Sequence, residues 1–475
     1  MSFFAKASAL LALSVLANAQ SSCPSPSGSI RPSVASGYNL QVVATGLSDP
    51  RGVAFDSQGH LLVVEQETGV ISSHVISDSN GCVTAGQSTN VVPAGLSLNH
   101  GIWINGTTLY ASNADSVYSW TYDPAARTVS NQEELITGMN NSDHTTRTLL
   151  LPASAPGMMV VSRGSGGNLD PASADVSGGT AQVRAFNLNN RTGTYDWLDG
   201  MLLAWGTRNE VGLVEHPTSG GIWGVENSAD QITRNGVDVS HDNPGEELNF
   251  FGYLNGTAYE NQGGNFGYPY CLAVWSPAEL PNNNSLAIGD QFAFDAVSAL
   301  NNENRTDTQC ADTVGPRLTF QAHMAPLDIK FNNSATEAWV TFHGSWDRDQ
   351  GVGYKLSLVE FTAAGEPVAA VDSSTAATDI VSNADNSVCP ANCLRPVGLA
   401  FDGQGRIFMS SDSSGEIYLV TRNASAIGSS PSGSPTGSST GSSASSTSAS
   451  SAASAYGTIS TGLGVICALF LFLLF

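Results

Sequence analysis

Apolar positions in this chain fall in short runs broken by turn residues, and one arrangement recurs along most of its length. Arg51-Gly-Val-Ala-Phe-Asp-Ser-Gln-Gly-His-Leu-Leu-Val-Val-Glu65 reads as a polar lead, an apolar strand, a turn and a second apolar strand. Arg395-Pro-Val-Gly-Leu-Ala-Phe-Asp-Gly-Gln-Gly-Arg-Ile-Phe-Met-Ser-Ser-Asp412 restates it near the other end, and shorter copies begin near His100, Arg147, Asn209 and Pro326. Apolar runs flanking a Gly/Asn/Asp turn predict β-hairpins. A hairpin unit that recurs and cannot bury its faces alone predicts an all-β, six-bladed β-propeller. Helical periodicity is scarce. Such a ring starts its innermost strands around one axis, so Arg51, His100, His144, Arg208, His323 and Arg395 are expected to converge on one pocket. The Asn-, Gly- and aromatic-rich stretch from Asp242 to Pro316 is expected to be an insertion capping one face.

The ends carry different patterns. Residues 1–19 read as a secretory signal peptide, with Lys6 before an apolar core and Ala17-Asn-Ala19 as the cleavage site. Residues 425–450 form a Ser/Thr-rich stalk expected to be disordered and O-glycosylated. Residues 451–475 end in an apolar tail too short to span a bilayer and fit a GPI-attachment signal. The expected product is secreted and held at the cell surface, with the propeller occupying residues 20–424. Outside the tail the cysteines are Cys23, Cys82, Cys271, Cys310, Cys389 and Cys393, an even set suited to an oxidising compartment. Cys389 and Cys393 are close enough to close a small loop, Cys271 with Cys310 would clasp the insertion, and Cys23 would then tie the N-terminal segment to Cys82. Sequons at Asn105, Asn140, Asn190, Asn255, Asn283, Asn304, Asn332 and Asn423 point to the exterior.

The chain has 18 Lys and Arg against 41 Asp and Glu, a formal charge of −23. Nucleic acid and acidic polysaccharide are poor partners for that surface. Scarce cations make their positions informative. Asp143-His-Thr-Thr-Arg-Thr148 places His144 just before an inner strand, where imidazole can take a proton near neutral pH. Trp205-Gly-Thr-Arg-Asn209 offers the Arg208 fork beside an amide, a set suited to carboxylates or quinone oxygens. Glu226-Asn-Ser-Ala229, Glu246-Glu-Leu-Asn249 and Gly263-Gly-Asn-Phe-Gly-Tyr-Pro-Tyr-Cys271 are loops able to aim carbonyls at a hard cation such as Ca²⁺. His343-Gly-Ser-Trp-Asp-Arg348 with Gly353-Tyr-Lys355 supplies a stacking Trp346 and the cations Arg348 and Lys355.

In this order, these four motifs resemble the soluble PQQ-dependent glucose/sorbosone dehydrogenase family, the secreted fungal pyranose dehydrogenases being its nearest branch. The resemblance covers about Gly37 to Asn423. It implies calcium-bound pyrroloquinoline quinone (PQQ) over the propeller axis and oxidation of a pyranose, aldose or sorbosone-like sugar by hydride transfer. Carried across residue by residue, His144 is the base and Arg208 stabilises charge on the quinone oxygen. Arg51, Asn209, Trp346, Arg348, Lys355 and Arg395 contact the cofactor, and backbone carbonyls at Ser228 and Ala229 reach calcium. Some relatives carry an acid supporting the base where this chain has Arg163-Gly-Ser-Gly-Gly-Asn168, which leaves the group that orients His144 unassigned. With no attached cytochrome, electrons are expected to pass to an external acceptor such as a secreted cytochrome or a copper oxidase. Two other readings of a propeller are a calcium-dependent lactonase or esterase, which would need acids at the inner-strand starts, and a non-catalytic glycan-binding surface protein.

Overall fold

The computed structural model describes Cys23 and residues 26–283, 285–346 and 348–423. The signal peptide, stalk and GPI-signal segments lie outside the described residues. Six sheets, antiparallel but for an added parallel edge strand on the second and third, follow one another, with innermost strands Pro50–Phe55, Ile102–Asn105, Leu149–Leu150, Glu210–Glu215, Pro326–Phe331 and Pro396–Phe401. These are the six expected blades, and their starts fall where the repeat put them. The sixth blade takes its outer strand, Tyr38–Ala44, from the N-terminal side, paired to Glu416–Arg422. Joining strands from the two ends of the propeller in one sheet closes the ring and leaves no open seam.

An apolar cluster fills each contact between neighbouring blades. Leu62, Leu109 and Trp120 sit between the first and second, and Trp223, Phe250, Val340 and Phe342 between the fourth and fifth. Trp339, Leu358, Leu399 and Tyr418 join the fifth to the sixth, and Val53, Val63 and Phe408 join the sixth to the first. Because each blade is covered on both faces, its strands read as continuous apolar runs rather than as alternation. At the axis the packing is backbone on backbone. A Cβ on Gly52 would stand 2.1 Å from the His100 carbonyl oxygen, one on Gly101 2.2 Å from that of Arg147, and one on Gly398 2.3 Å from that of Arg51. The glycine in the repeat is therefore what lets successive inner strands meet.

The expected insertion is shorter than the sequence suggested. Glu246–Tyr253 is the third strand of the fourth blade, paired to Gly221–Glu226, and Leu318–Phe320 is its fourth. Its acidic start disguised it as a ligand loop. The inserted segment lies between those two strands and holds the hairpin Cys271–Ala273 with Gln291–Ala293, clasped by Cys271–Cys310. Tyr268, Leu272, Val274, Leu280 and Phe292 pack with Ala229 and Ile232 in a separate apolar cluster. The other two disulfides, Cys23–Cys82 and Cys389–Cys393, also form as expected. None of the eight sequon asparagines is buried.

Candidate functional site

Loops at the entry ends of the third, fourth and fifth blades, with Gly344 to Trp346 just after the second strand of the fifth, surround a cleft. It is lined by His144, Arg208, Asn209, Ser228, His323 and Trp346, with Asp230 and Glu246 among the remaining wall residues. The loop 163–170 sets its geometry. A Cβ on Gly164 would lie 2.6 Å from both His144 Cβ and Asn209 Oδ1, so glycine there lets these two residues approach. Ser165 orients the histidine. Its hydroxyl donates to the Gly167 carbonyl at 2.8 Å, so toward His144 Nδ1, 2.9 Å away, it acts as acceptor. The Ser165 carbonyl lies 3.1 Å from the same nitrogen. Nδ1 therefore carries the proton and Nε2 keeps the lone pair. Burial first, then the Arg208 charge, pulls the His144 pKa down to about 4, against Asp143, the Ser165 carbonyl and Asp230. The side chain is a neutral base at neutral pH.

Arg208 is held from several sides. Nε donates to the Asn168 carbonyl at 3.1 Å, Nη2 to Asn168 Oδ1 at 3.0 Å and to Asp230 Oδ2 at 3.3 Å, and Nη1 to the Asn227 carbonyl at 3.2 Å. Asn168 is fixed in turn by its bond to the Asp230 carbonyl at 2.6 Å. The Tyr268 hydroxyl reaches the Gly167 and Asn168 carbonyls and accepts from the Asp170 amide at 2.8 Å, and burial pushes its phenol up to about 12. The inserted segment thus braces the loop that carries Ser165 and Asn168. Asp230 also meets His323 at 3.1 Å; burial pushes its carboxyl up, but the His323 bond and the Arg208 charge win and hold it below the usual range. Asn209 Oδ1, in the cleft wall, is buried without a hydrogen-bond partner.

Carboxyls form the floor. Glu246 accepts from the Ser228 amide at 2.8 Å and the Ala325 amide at 3.0 Å, tying the fourth blade to the fifth, and burial raises it to about 7. Beneath it, Glu226 accepts the Arg208 amide at 2.5 Å, and Asn249 Nδ2 donates to Glu226 at 2.8 Å and Glu210 at 3.3 Å. Burial pushes Glu210 and Glu226 well up and Glu247 to about 8. A carboxyl raised from 4.5 to about 8 holds a proton that the unfolded chain has released, so its contribution to stability is lost as pH rises through that window. Glu247→Gln is expected to flatten the decline of melting temperature across it, read by calorimetry at a series of pH values.

The remaining expected residues divide. Arg51 and Arg395 stand beside the cleft rather than in its wall: Arg51 donates to Asp412 at 2.8 Å, and Arg395 reaches the carbonyl of the wall residue Gly344 at 3.3 Å. Trp346 is 64% exposed at the rim, with a face free for a ring. Ser228 is in the wall, while the Ala229 side chain joins the apolar cluster under it. Arg348 donates to the His241 carbonyl and anchors that turn, and Lys355 pairs with Asp379 at 2.9 Å; neither lines the cleft. His100 is buried and faces a separate axial cavity of about 360 Å³ with Asp328, Lys330 and Phe401. The convergence expected of six blade starts is thus split among cleft, rim and axis. Sequence reading passed over Ser165, Asp230 and Glu246, although Ser165 and Glu246 lie inside the motifs that drew attention. Among the described residues, no group of three or more His, Cys, Asp or Glu side chains is placed to hold a metal ion, so any cation here would rely on carbonyls and on its ligand.

Residues 32–423 match the TrAA12-like family. A pyrroloquinoline quinone-dependent sugar dehydrogenase of Hypocrea jecorina is 45% identical over 401 residues, 83% of this chain and 90% of that protein. A pyrroloquinoline quinone-dependent pyranose dehydrogenase of Coprinopsis cinerea is 37% identical over 435 residues, 86% of this chain but 57% of that longer protein. Among solved structures, the calcium structure of the Trichoderma reesei Carbohydrate-Active Enzymes Family AA12 protein superposes with a TM-score of 0.79 at 45% identity, covering 82% of this chain and 97% of the other. The holo PQQ domain of the Coprinopsis cinerea pyranose dehydrogenase gives 0.77 at 36% identity, covering 84% and 99%.

Proposed function

This chain belongs to the TrAA12-like family, and from that premise we propose that it is a PQQ-dependent sugar dehydrogenase. The observation that carries the reading is His144, held by Ser165 as a neutral base and facing Arg208 in one cleft. The guanidiniums and the open ring face suit a flat, tricarboxylate quinone. Asn209 Oδ1 is an orphaned buried acceptor in the wall, Trp346 offers an open ring face, and the forks of Arg51 and Arg395 flank the cleft in a chain otherwise poor in cations. When bound, the quinone supplies a two-electron acceptor and calcium a Lewis acid on its oxygens.

The chain's own residues do the rest. His144 Nε2 takes the proton of the substrate hydroxyl, and Arg208 sets a fixed positive charge beside it, braced by Asn168 and Asp230. Asn209 would hold the ring system of the bound quinone. Backbone carbonyls at Ser228 and Ala229 would supply contacts to calcium, their loop steadied by Glu246. The finer parts of the proposal are a pyranose, aldose or sorbosone-like substrate, an external electron acceptor such as a secreted cytochrome or copper oxidase, and a secreted, GPI-tethered protein.

Chelator-stripped protein ending near Asn423, titrated with PQQ and Ca²⁺ and assayed by dye reduction with a panel of sugars, tests this. Saturable binding with sugar-dependent reduction is the expected result. Failure to bind PQQ with or without Ca²⁺ would overturn it and favour the lactonase or glycan-binding reading.

A further inference from the structure

Beside the cleft, four side chains from three blades form a connected set. Asp412, at the end of a strand in the sixth blade, accepts from Arg51 Nη1 at 2.8 Å and lies 2.8 and 3.0 Å from His343 Nε2 through its two oxygens. The Ser413 amide donates to the same carboxylate at 2.7 Å. On the other side of the imidazole, Arg395 Nη2 stands 3.0 Å from His343 Nδ1. A guanidinium can only donate, so Nδ1 is an acceptor, and the His343 proton sits on Nε2, directed at Asp412. Burial lowers the His343 pKa, against the pull of Asp412, so the ring is neutral. For Asp412, burial works upward, but His343, Arg51 and Arg395 together hold the carboxyl far below its usual range. Three of the four side chains are well shielded, Arg51, His343 and Asp412 keeping only 11%, 16% and 14% of their exposure, and Arg395 is half-buried.

This set is coupled to the cleft wall through the main chain. Arg395 also reaches the His343 carbonyl at 3.4 Å and the Gly344 carbonyl at 3.3 Å, and Gly344, Ser345 and Trp346 line the cleft. An acid beside a site built for an anionic ligand looks unfavourable on charge alone. Its geometry explains it: one carboxylate bridges an arginine of the first blade and a histidine of the fifth, and that histidine fixes the arginine that opens the sixth.

We propose that Asp412 is a positioning residue for cofactor binding, which sets the His343 tautomer and aligns Arg51 and Arg395 as two forks toward the cofactor's carboxylates. The inference rests on the proposed PQQ-dependent reading. Loss of an outer partner that orients metal ligands typically costs about 10–100-fold in affinity, and an effect of that order is expected for these two guanidiniums. Simple removal of a nearby negative charge should instead tighten the binding of an anion. The two readings differ in sign.

The test is Asp412→Asn in the intact propeller, with PQQ affinity measured by fluorescence quenching and calorimetry in the presence of Ca²⁺, independently of turnover. The expected result is affinity weaker by about tenfold or more, with partial rescue in Asp412→Glu. The ¹⁵N resonances of His343 are expected to report an Nε2-protonated neutral ring in the parent and to move in Asp412→Asn. Unchanged or tighter binding by a folded Asp412→Asn protein would overturn the inference while leaving the cofactor assignment intact. Absence of PQQ binding by the parent would instead remove the functional reading, and the His343 resonances would still report whether Asp412 sets the tautomer.

Discussion

His144→Ala is expected to lower kcat by about 10²–10⁴-fold, the usual contribution of a positioned general base, while PQQ affinity stays close to that of the parent. The separation follows from how the residue is held. Its ring contacts Ser165, whereas the Arg147 guanidinium and the Asn141 amide bond its backbone carbonyl, which alanine retains. The blade therefore keeps its entry loop when the imidazole is removed. The same site predicts a pH profile. With its pKa pulled down to about 4, His144 stays unprotonated across the mildly acidic range. kcat/KM is then expected to fall only as pH drops through about 4, rather than through the ordinary imidazole value of 6.5. Stopped-flow reduction across pH, compared with PQQ binding at each pH, checks both. An acid limb near 6.5, or a His144→Ala protein that turns over normally, would place the base elsewhere.

Gly101→Ala is expected to destabilise the propeller by about 1–3 kcal/mol or more, the range for overpacking a core. The added methyl would stand 2.2 Å from the Arg147 carbonyl oxygen and 2.4 Å from Ser112 Oγ. The serine cannot simply turn away, because its hydroxyl already donates to that same carbonyl at 2.6 Å. Relief requires the second and third inner strands to separate at the axis. In a domain of this size that corresponds to a melting temperature lower by about 1–4 °C. Gly193→Ala, which meets nothing within 4 Å, is the control and is expected to leave stability unchanged. Equal melting of the two variants would mean that the axial strands give way freely.

Much of this architecture could be read from local pattern, for a clear reason. Strands covered on both faces become apolar runs, and the axial glycines recur because each inner strand meets its neighbour in the same way. Where a strand breaks that pattern, reading failed: Glu246–Tyr253 begins with two buried carboxyls and contains Asn249, so a central strand looked like a ligand loop. In the site, His144 and Arg208 were visible because they are scarce, chemically marked residues at strand entries, and Asn209 because it adjoins Arg208. Their partners were not. Ser165 is an ordinary serine in a glycine-rich turn, and Asp230 carries no local sign that it faces Arg208 and His323.

The repeat, the turns, the charge balance and the motif order by themselves determined a six-bladed all-β ring and the residue types gathered at its entry face. Those properties follow from burial and from turn chemistry within a few residues. Tertiary structure alone decided which side chains share a space: that His144 is oriented by Ser165, that Lys355 is committed to Asp379, and that Arg51 meets Asp412 across 361 residues of chain. Pairings of that kind depend on how blades close on one another, and a hydrogen bond between distant segments leaves no periodicity in the sequence.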